Sequence, residues 1–232
     1  MRYWVVMPAA GFGQRFGAPT PKQYLPLAGR PLIAWSLQPF LDDPRCAGIT
    51  VAVAAEDPHW PTVRASLDDP RIASCNGGAE RCDSVLAALE ALQAGDDDWV
   101  LVHDAARPCL GRHDLDALLA AAGTHTVGGL LALPLADTLK RAEGAGEAVA
   151  ETLSRDGLWR ALTPQMFRKG PLGAALRAAR ALGRVPTDES QAMEWQGHAP
   201  RLVAGDAMNI KVTRPADLDF AAAVLASRGV QS

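Results

Sequence analysis

The chain has 232 residues, which is enough for one large α/β domain and marginal for two. Its formal net charge of −3 argues against a non-specific nucleic-acid binder, because such a protein needs a basic face. No apolar run approaches the roughly 20 residues of a membrane span, and the first residues lack the pattern of a signal peptide, so we expect a cytoplasmic protein with no nucleic-acid or membrane partner.

Short apolar runs alternate with helical patterns along the chain. In chain order, the predicted elements are a strand at 3–7, a helix at 31–41, a strand at 49–54, a helix at 84–92, a strand at 99–103, a helix at 115–122, a strand at 127–133, and helices at 172–182, 189–195 and 216–227. This alternation predicts an α/β fold with a Rossmann-like, doubly wound, mostly parallel sheet, in a single domain that covers residues 1–232.

One segment breaks this rhythm. Residues 138–142 and 148–153 both alternate, and the sequence EGAGE separates them, which predicts a β-hairpin with a Gly-containing turn. The hairpin has few large apolar residues, and a two-stranded hairpin is marginal alone. We therefore predict a protruding arm at about 136–154 that packs on a partner subunit; a solvated excursion from the sheet is the alternative.

The first predicted strand runs into a Gly-rich loop, PAAGFGQR, with Lys22 close behind. Small residues let a ligand approach the backbone, whose N–H groups can cradle phosphates. The loop is not a dinucleotide fingerprint, because Phe16 occupies the third glycine position, and it lacks the GK[ST] of a Walker A loop. With Arg15 and Lys22 it favours a triphosphate site, the alternative being a tight turn with two solvated cations.

Two further segments carry polar residues that suit a nucleotide site. In GGAERCDSV (77–85), the glycines could accept a flat base, and Arg81 and Ser84 could donate hydrogen bonds to it; the acids of this segment equally suit a helix N-terminus. In HDAARP (103–108), Asp104 follows a buried strand, where a carboxylate could hold Mg²⁺. His103 is more typical of a hydrogen-bonded structural residue.

Taken together, the motifs resemble a known family. PAAGFGQRF with PKQYL, GG-x-x-R-x-x-SV, VHDAARPCL, DTLKRA, LTPQ and NIKVT occur in the order found in the 2-C-methyl-D-erythritol 4-phosphate cytidylyltransferases of the non-mevalonate isoprenoid pathway, across about residues 3–225. The resemblance implies cytidylyl transfer from CTP to 2-C-methyl-D-erythritol 4-phosphate, a divalent metal such as Mg²⁺, and a homodimer that exchanges its arms. One departure is Ala79, where members often carry Asp, so a base contact there would come from the backbone.

The resemblance also implies roles for individual residues. The catalytic cations would be Arg15, Lys22 and Lys211. The CTP site would be lined by Ala9, Ala10, Gly11, Gly13, Gly78, Ala79, Arg81 and Ser84. The acceptor side would use Asp104, Arg107, Thr138, Arg155 and Thr163, with Asp104 also at the metal.

Three other functions compete with this reading. The nearest is the same chemistry on another polyol phosphate, such as ribitol 5-phosphate. A nucleotide-sugar glycosyltransferase would want a DxD-type motif, but HDAA offers one Asp. A non-catalytic nucleotide-binding module would have no reason to keep Arg155, Thr163 and Lys211 beside a phosphate loop.

Overall fold

The computed structural model describes residues 1–11 and 20–229. The strands of these residues are β1 (Tyr3–Pro8), β2 (Pro26–Leu27), β3 (Arg30–Pro31), β4 (Cys46–Val53), β5 (Ile72–Asn76), β6 (Trp99–Val102), β7 (Gly128–Pro134), β8 (Leu139–Ala142), β9 (Val149–Leu153), β10 (Trp159–Arg168) and β11 (Arg201–Ala204). The α-helices are α1 (Leu32–Leu41), α2 (Trp60–Leu67), α3 (Arg81–Ala91), α4 (Arg112–Ala122), α5 (Lys169–Ala181), α6 (Glu189–Glu194) and α7 (Ala216–Ser227).

In the described chain, seven strands form one sheet in the order β11-β7-β10-β6-β1-β4-β5. All neighbouring pairs are parallel except those of β10, which runs antiparallel to both β6 and β7. The carboxyl ends of the parallel strands therefore lie along one edge, where α/β sheets bind their ligands.

Helices cover both faces of the sheet, as the alternation of β1 illustrates. Val5 and Met7 pack in one core cluster with residues of α1, α2 and α4, whereas Val6 packs in a second cluster with residues of α3, α5 and α6. Side chains that alternate along a strand bury both faces of the sheet, which confirms the predicted doubly wound α/β fold. None of the helices in residues 1–11 and 20–229 is both long and apolar enough to cross a membrane.

Every predicted strand and helix is present, with bounds that shift by a few residues. The larger elements that the sequence did not predict are α2, β5, β10 and β11. The omission of β10 has a physical reason: it contains Pro164, and proline is unusual inside a sheet. The pairing of β10 with β7 shifts register between Ala161 and Gln165, so Pro164 lies in a bulge and interrupts no regular ladder.

The predicted hairpin is confirmed as β8 and β9, an antiparallel pair separate from the main sheet. Its polar side chains pair across the ribbon: Lys140 Nζ donates to Thr152 Oγ1 at 2.6 Å, and Arg141 pairs with Glu151. Nearly every residue of the two strands is exposed. The arm therefore brings little apolar surface to the core of its own chain.

Candidate active site

A cleft of about 300 Å³ opens at the carboxyl-end edge of the sheet. It is bounded by the segments that follow β1, β5 and β6, and by the segment before α7. Its lining residues are Pro8, Ala9, Ala10, Gly11, Lys22, Gln23, Gly78, Ala79, Glu80, Arg81, Ser84, Asp104, Ala105, Ala106 and Lys211. Four motifs that are far apart in the sequence thus meet at one site.

The carboxylate of Asp104 is the electrostatic centre of this cleft. Its Oδ1 lies 3.0 Å from Arg81 Nε, and its Oδ2 lies 2.7 Å from Lys211 Nζ and 3.7 Å from Arg107 Nε. Burial alone would raise the pKa of Asp104, but the charges of Arg81 and Lys211 outweigh burial and hold the pKa far below its usual range. Asp104 is therefore ionised at any physiological pH.

The backbone of Asp104 is held as firmly as its side chain. Its amide donates to Thr163 Oγ1 at 3.1 Å, and Thr163 Oγ1 lies 3.0 Å from His103 Nδ1. His103 Nε2 lies 3.1 Å from the carbonyl of Arg107, which can only accept, so Nε2 carries the proton and Nδ1 accepts from Thr163. Burial lowers the pKa of His103 to about 4, so the ring is neutral. His103 is thus a structural link, as its sequence context indicates.

The Gly-Gly segment is shaped by Ser84 and by steric limits. Ser84 Oγ accepts from the amide of Gly78 at 3.2 Å and is 3.2 Å from the carbonyl of Glu80. A Cβ atom on Gly77 would lie 2.5 Å from Cβ of Ala10, and one on Gly78 would lie 2.3 Å from a side-chain atom of α3. Only glycine fits at both positions, so bare backbone forms this wall of the cleft.

Lys22 and Lys211 reach the cleft from segments that are distant in sequence. Lys22 Nζ donates to the carbonyl of Val212 at 3.3 Å, directly beside Lys211. The amide of Val212 in turn donates to the carbonyl of Ala106 at 2.8 Å, which ties the Lys211 segment to the loop after β6. The two lysines therefore converge near Asp104 and supply positive charge for a polyanionic ligand.

Comparison with known proteins places the chain in a family. The sequence profile of 2-C-methyl-D-erythritol 4-phosphate cytidylyltransferase (IspD) matches residues 3–227. The chain belongs to this family. It is accordingly an enzyme of the nucleotidyltransferase class, and it matches a relative from Pseudomonas fluorescens, named 2-C-methyl-D-erythritol 4-phosphate cytidylyltransferase, with 55% identity over 94% of this chain and 93% of the relative.

Solved structures agree with this assignment. A crystal structure of 4-diphosphocytidyl-2C-methyl-D-erythritol synthase superposes with a TM-score of 0.83 at 34% identity, covering 97% of this chain and 99% of the other. The Francisella tularensis 2-C-methyl-D-erythritol 4-phosphate cytidylyltransferase gives a TM-score of 0.82 at 34% identity, covering 97% of this chain and all of the other. The family likeness therefore extends over nearly the whole chain in both sequence and fold.

The structure brings together most of the residues predicted for the nucleotide and catalytic roles. Of these, the cleft lining includes Ala9, Ala10, Gly11, Lys22, Gly78, Ala79, Arg81, Ser84 and Lys211, and it also includes Asp104, which was predicted for the acceptor side and the metal. Gly13 and Arg15 lie outside the described residues.

The residues predicted for the acceptor side are more dispersed. Arg107 and Thr163 are buried behind the cleft wall, where Arg107 Nη1 donates to the carbonyl of Asn209 at 2.7 Å. Thr138 and Arg155 are exposed at the base of the arm, where Arg155 donates to the carbonyl of Ala136. None of these four side chains belongs to the described lining of the cleft.

Three buried polar residues support the site without having been predicted. Gln23 Nε2 donates to the carbonyl of Ala9 at 2.7 Å and so holds the first turn of the cleft. Glu189 binds Arg81, and Gln165 fixes the start of α6. Gln23 adjoins Lys22 in PKQYL, which is a local signal. Gln165 belongs to the LTPQ motif, which is also a local signal, whereas Glu189 has none, because its partner is distant in sequence.

Proposed function

We propose that this chain transfers the cytidylyl group of CTP to 2-C-methyl-D-erythritol 4-phosphate, with release of pyrophosphate. The observation that carries the proposal is the convergence of Lys22 and Lys211 on Asp104, in a cleft walled by small residues, in a chain of this family. The product is 4-diphosphocytidyl-2-C-methyl-D-erythritol.

The chemistry suits the residues of the cleft. The second pKa of a phosphate monoester is about 6, so the attacking oxygen is largely ionised at neutral pH and needs no general base. The barrier lies in bringing anions together and in stabilising the charge that develops as pyrophosphate leaves. Lys22 and Lys211 would stabilise that charge and orient the phosphates, together with Arg15, which resides in the Gly-rich segment.

We further propose that a divalent metal, Mg²⁺ or another, is held partly by Asp104. Among the described residues, no group of three or more His, Cys, Asp or Glu side chains could form a complete metal site. Mg²⁺ commonly uses one or two carboxylates and takes its other ligands from water and substrate phosphates, so a single ionised Asp104 fits. When bound, the ion would neutralise charge on the reacting phosphates; Lys211 would then release Asp104 Oδ2 and turn to the substrate.

CTP is the proposed nucleotide because the space along the Gly77–Gly78 wall of the cleft, where the base would lie, is narrow. The backbone of Gly77 and Gly78 leaves no room for side chains, and Ser84 fixes this loop from behind. Ala79, which follows these two glycines, is exposed and has no polar side chain, so hydrogen bonds to the cytosine edge would come from the backbone. A pyrimidine fits such a wall better than the larger purines.

The acceptor side supports a homodimer that exchanges its arms. Thr138 and Arg155 are exposed and do not line the cleft of their own chain. Exposed apolar side chains occur nearby at Val149, Leu158 and Trp159, a composition that a subunit interface would bury. In the proposed dimer, Thr138 and Arg155 of one subunit would hold the acceptor phosphate at the other subunit's cleft, which Arg107 and Thr163 would shape from behind.

One assay tests the reaction. Pyrophosphate release from CTP is measured with 2-C-methyl-D-erythritol 4-phosphate and with ribitol 5-phosphate side by side, and then with ATP or GTP in place of CTP. We expect release with CTP and methylerythritol phosphate, which the family match favours over ribitol phosphate. Equal turnover of ATP, or faster turnover of ribitol phosphate, would refute the proposed pair of substrates. Because both substrates are phosphorylated metabolites that do not cross membranes unaided, we propose a cytoplasmic location, testable by cell fractionation.

A further inference from the structure

A second carboxylate, that of Glu189, lies behind the cleft. Among the residues that the structure describes, Arg81 is the only member of the cleft lining to which it is hydrogen-bonded. Glu189, the first residue of α6, is fully buried. Its Oε1 accepts from Arg81 Nη1 at 2.6 Å, and its Oε2 accepts from Arg81 Nη2 at 3.1 Å. Since Arg81 Nε donates to Asp104 at 3.0 Å, the guanidinium is clamped between two carboxylates, and all three of its nitrogen atoms are engaged.

The position of Glu189 is itself fixed by the strand that holds Asp104. Gln165 of β10 donates from Nε2 to Asp188 Oδ2 at 3.0 Å and accepts the amide of Ser190 at 2.8 Å. These two bonds flank Glu189 on both sides. Thr163, two residues before Gln165, holds the backbone of Asp104. The bulged strand β10 therefore positions both carboxylates that contact Arg81: Asp104 through Thr163, and Glu189 through Gln165.

Burial of an extra carboxylate needs a reason, because desolvating each ion costs several kcal/mol and a buried pair adds little net stability. Three cations, Arg81, Arg107 and Lys211, surround Asp104. Without a second anion, the guanidinium of Arg81 would be attracted wholly to Asp104 and would compete for both of its oxygens. A bidentate carboxylate behind Arg81 restrains its plane and leaves Asp104 Oδ2 toward Lys211 and the cleft.

We infer that Glu189 is a positioning residue for cytidylyl transfer, which acts through Arg81 to orient Asp104; the inference rests on the proposed function. The test compares Glu189→Gln with wild type, and uses Glu194→Gln as the matched control. Glu194 belongs to the same helix but is exposed, and its side chain accepts a hydrogen bond from Ser190 Oγ at 2.7 Å. We expect Glu189→Gln to lower kcat by about 10- to 100-fold with little change in the KM for CTP, and Glu194→Gln to match wild type.

A double-mutant cycle separates positioning from stability. If Glu189 acts through Arg81, Glu189→Gln should lower kcat no further in an Arg81→Met background. Replacing both members of a buried pair is often tolerated, so kcat of the double variant can be measured even if Glu189→Gln alone does not fold. A multiplicative loss in the cycle, or a double variant with the kcat of wild type, would overturn the inference.

A crystal structure of Glu189→Gln gives a readout that does not depend on activity. We expect the contact between Arg81 Nε and Asp104 Oδ1 to be lost or replaced by a bidentate one; an unchanged contact would overturn the inference. The two proposals fail separately. An inactive wild type would refute the function, whereas an active wild type with an equally active Glu189→Gln variant would refute only the role of Glu189.

Discussion

The cleft and the arm both carry charged and hydroxyl side chains, but these side chains differ in their burial and in the sequence distance to their partners. In the cleft, the carboxylate and the amide of Asp104 are buried and are held by partners from distant segments: Arg81, Lys211 and Thr163. Along the arm, the pairs Lys140 with Thr152 and Arg141 with Glu151 are exposed and join adjacent strands of one ribbon.

This difference separates two kinds of contribution to catalysis. Buried ion pairs cost desolvation energy but hold charges in one geometry, which is what a phosphoryl-transfer site needs before substrate arrives. Exposed pairs contribute little stability, so the arm gains its geometry elsewhere. The cleft is organised by its own chain, and in the dimer that we propose a second subunit would organise the arm.

The largest expected effect comes from neutralising the centre of the cleft. Asp104→Asn should reduce kcat/KM by about 100- to 1000-fold, because three cations lose the anion that orients them. The free energy of unfolding at pH 7 should also fall, by about 1–3 kcal/mol, since a buried charged hydrogen-bond acceptor is lost. Steady-state kinetics and urea unfolding measure the two effects. Glu143→Gln, in the exposed turn of the arm, should change neither; wild-type turnover of Asp104→Asn would contradict the central role of this residue.

A smaller loss is expected for Lys22→Ala, because Lys22 adds one positive charge to the cleft, where its Nζ donates to the carbonyl of Val212, whereas Asp104 orients several cations. We predict that kcat and kcat/KM fall together by about 100-fold, as expected for an interaction made mainly in the transition state. Steady-state kinetics with varied CTP provide the measurement. If only the KM for CTP rises, Lys22 is a binding anchor in the ground state.

The arm is tested by complementation between two inactive variants. Lys22→Ala and Arg155→Ala are coexpressed with different affinity tags, and the mixed dimer is isolated. If the arms exchange, one cleft carries both changes and the other carries neither, so about half of the wild-type activity per dimer should return. The two parent homodimers are the controls. A mixed dimer as inactive as its parents would place Arg155 at the cleft of its own chain.

The smallest expected effect is on the free energy of unfolding, and it compares the removal of one hydroxyl group from each region. Thr163→Val leaves the amide of Asp104 and Nδ1 of His103 without a partner, which should cost about 1–3 kcal/mol of unfolding free energy. Thr152→Val removes only an exposed contact with Lys140 and should cost less than about 0.5 kcal/mol. Urea unfolding of both variants gives the difference, and equal losses would show that the two regions are not distinct in stability.

Much of this molecule was predictable from its sequence. The apolar runs located β1 and β6, the small residues after β1 and the polar segment after β6 located the cleft, and the alternation at 138–153 located the arm. Each of these signals is local, because hydrophobic periodicity and turn residues act over a few positions. The order of the motifs was sufficient to indicate the family, which the profile match over residues 3–227 confirms.

Only the tertiary structure decided how the charges are paired. β10 is a central antiparallel strand despite Pro164, because its bulge removes the need for a regular ladder at that point. That strand carries Thr163 and Gln165 into the core, and these residues place Asp104 and Glu189 around Arg81. Glu189 and Arg81 are 108 positions apart, so no local pattern links them; packing of α6 against the sheet brings them together, and burial makes each the obligatory partner of the other.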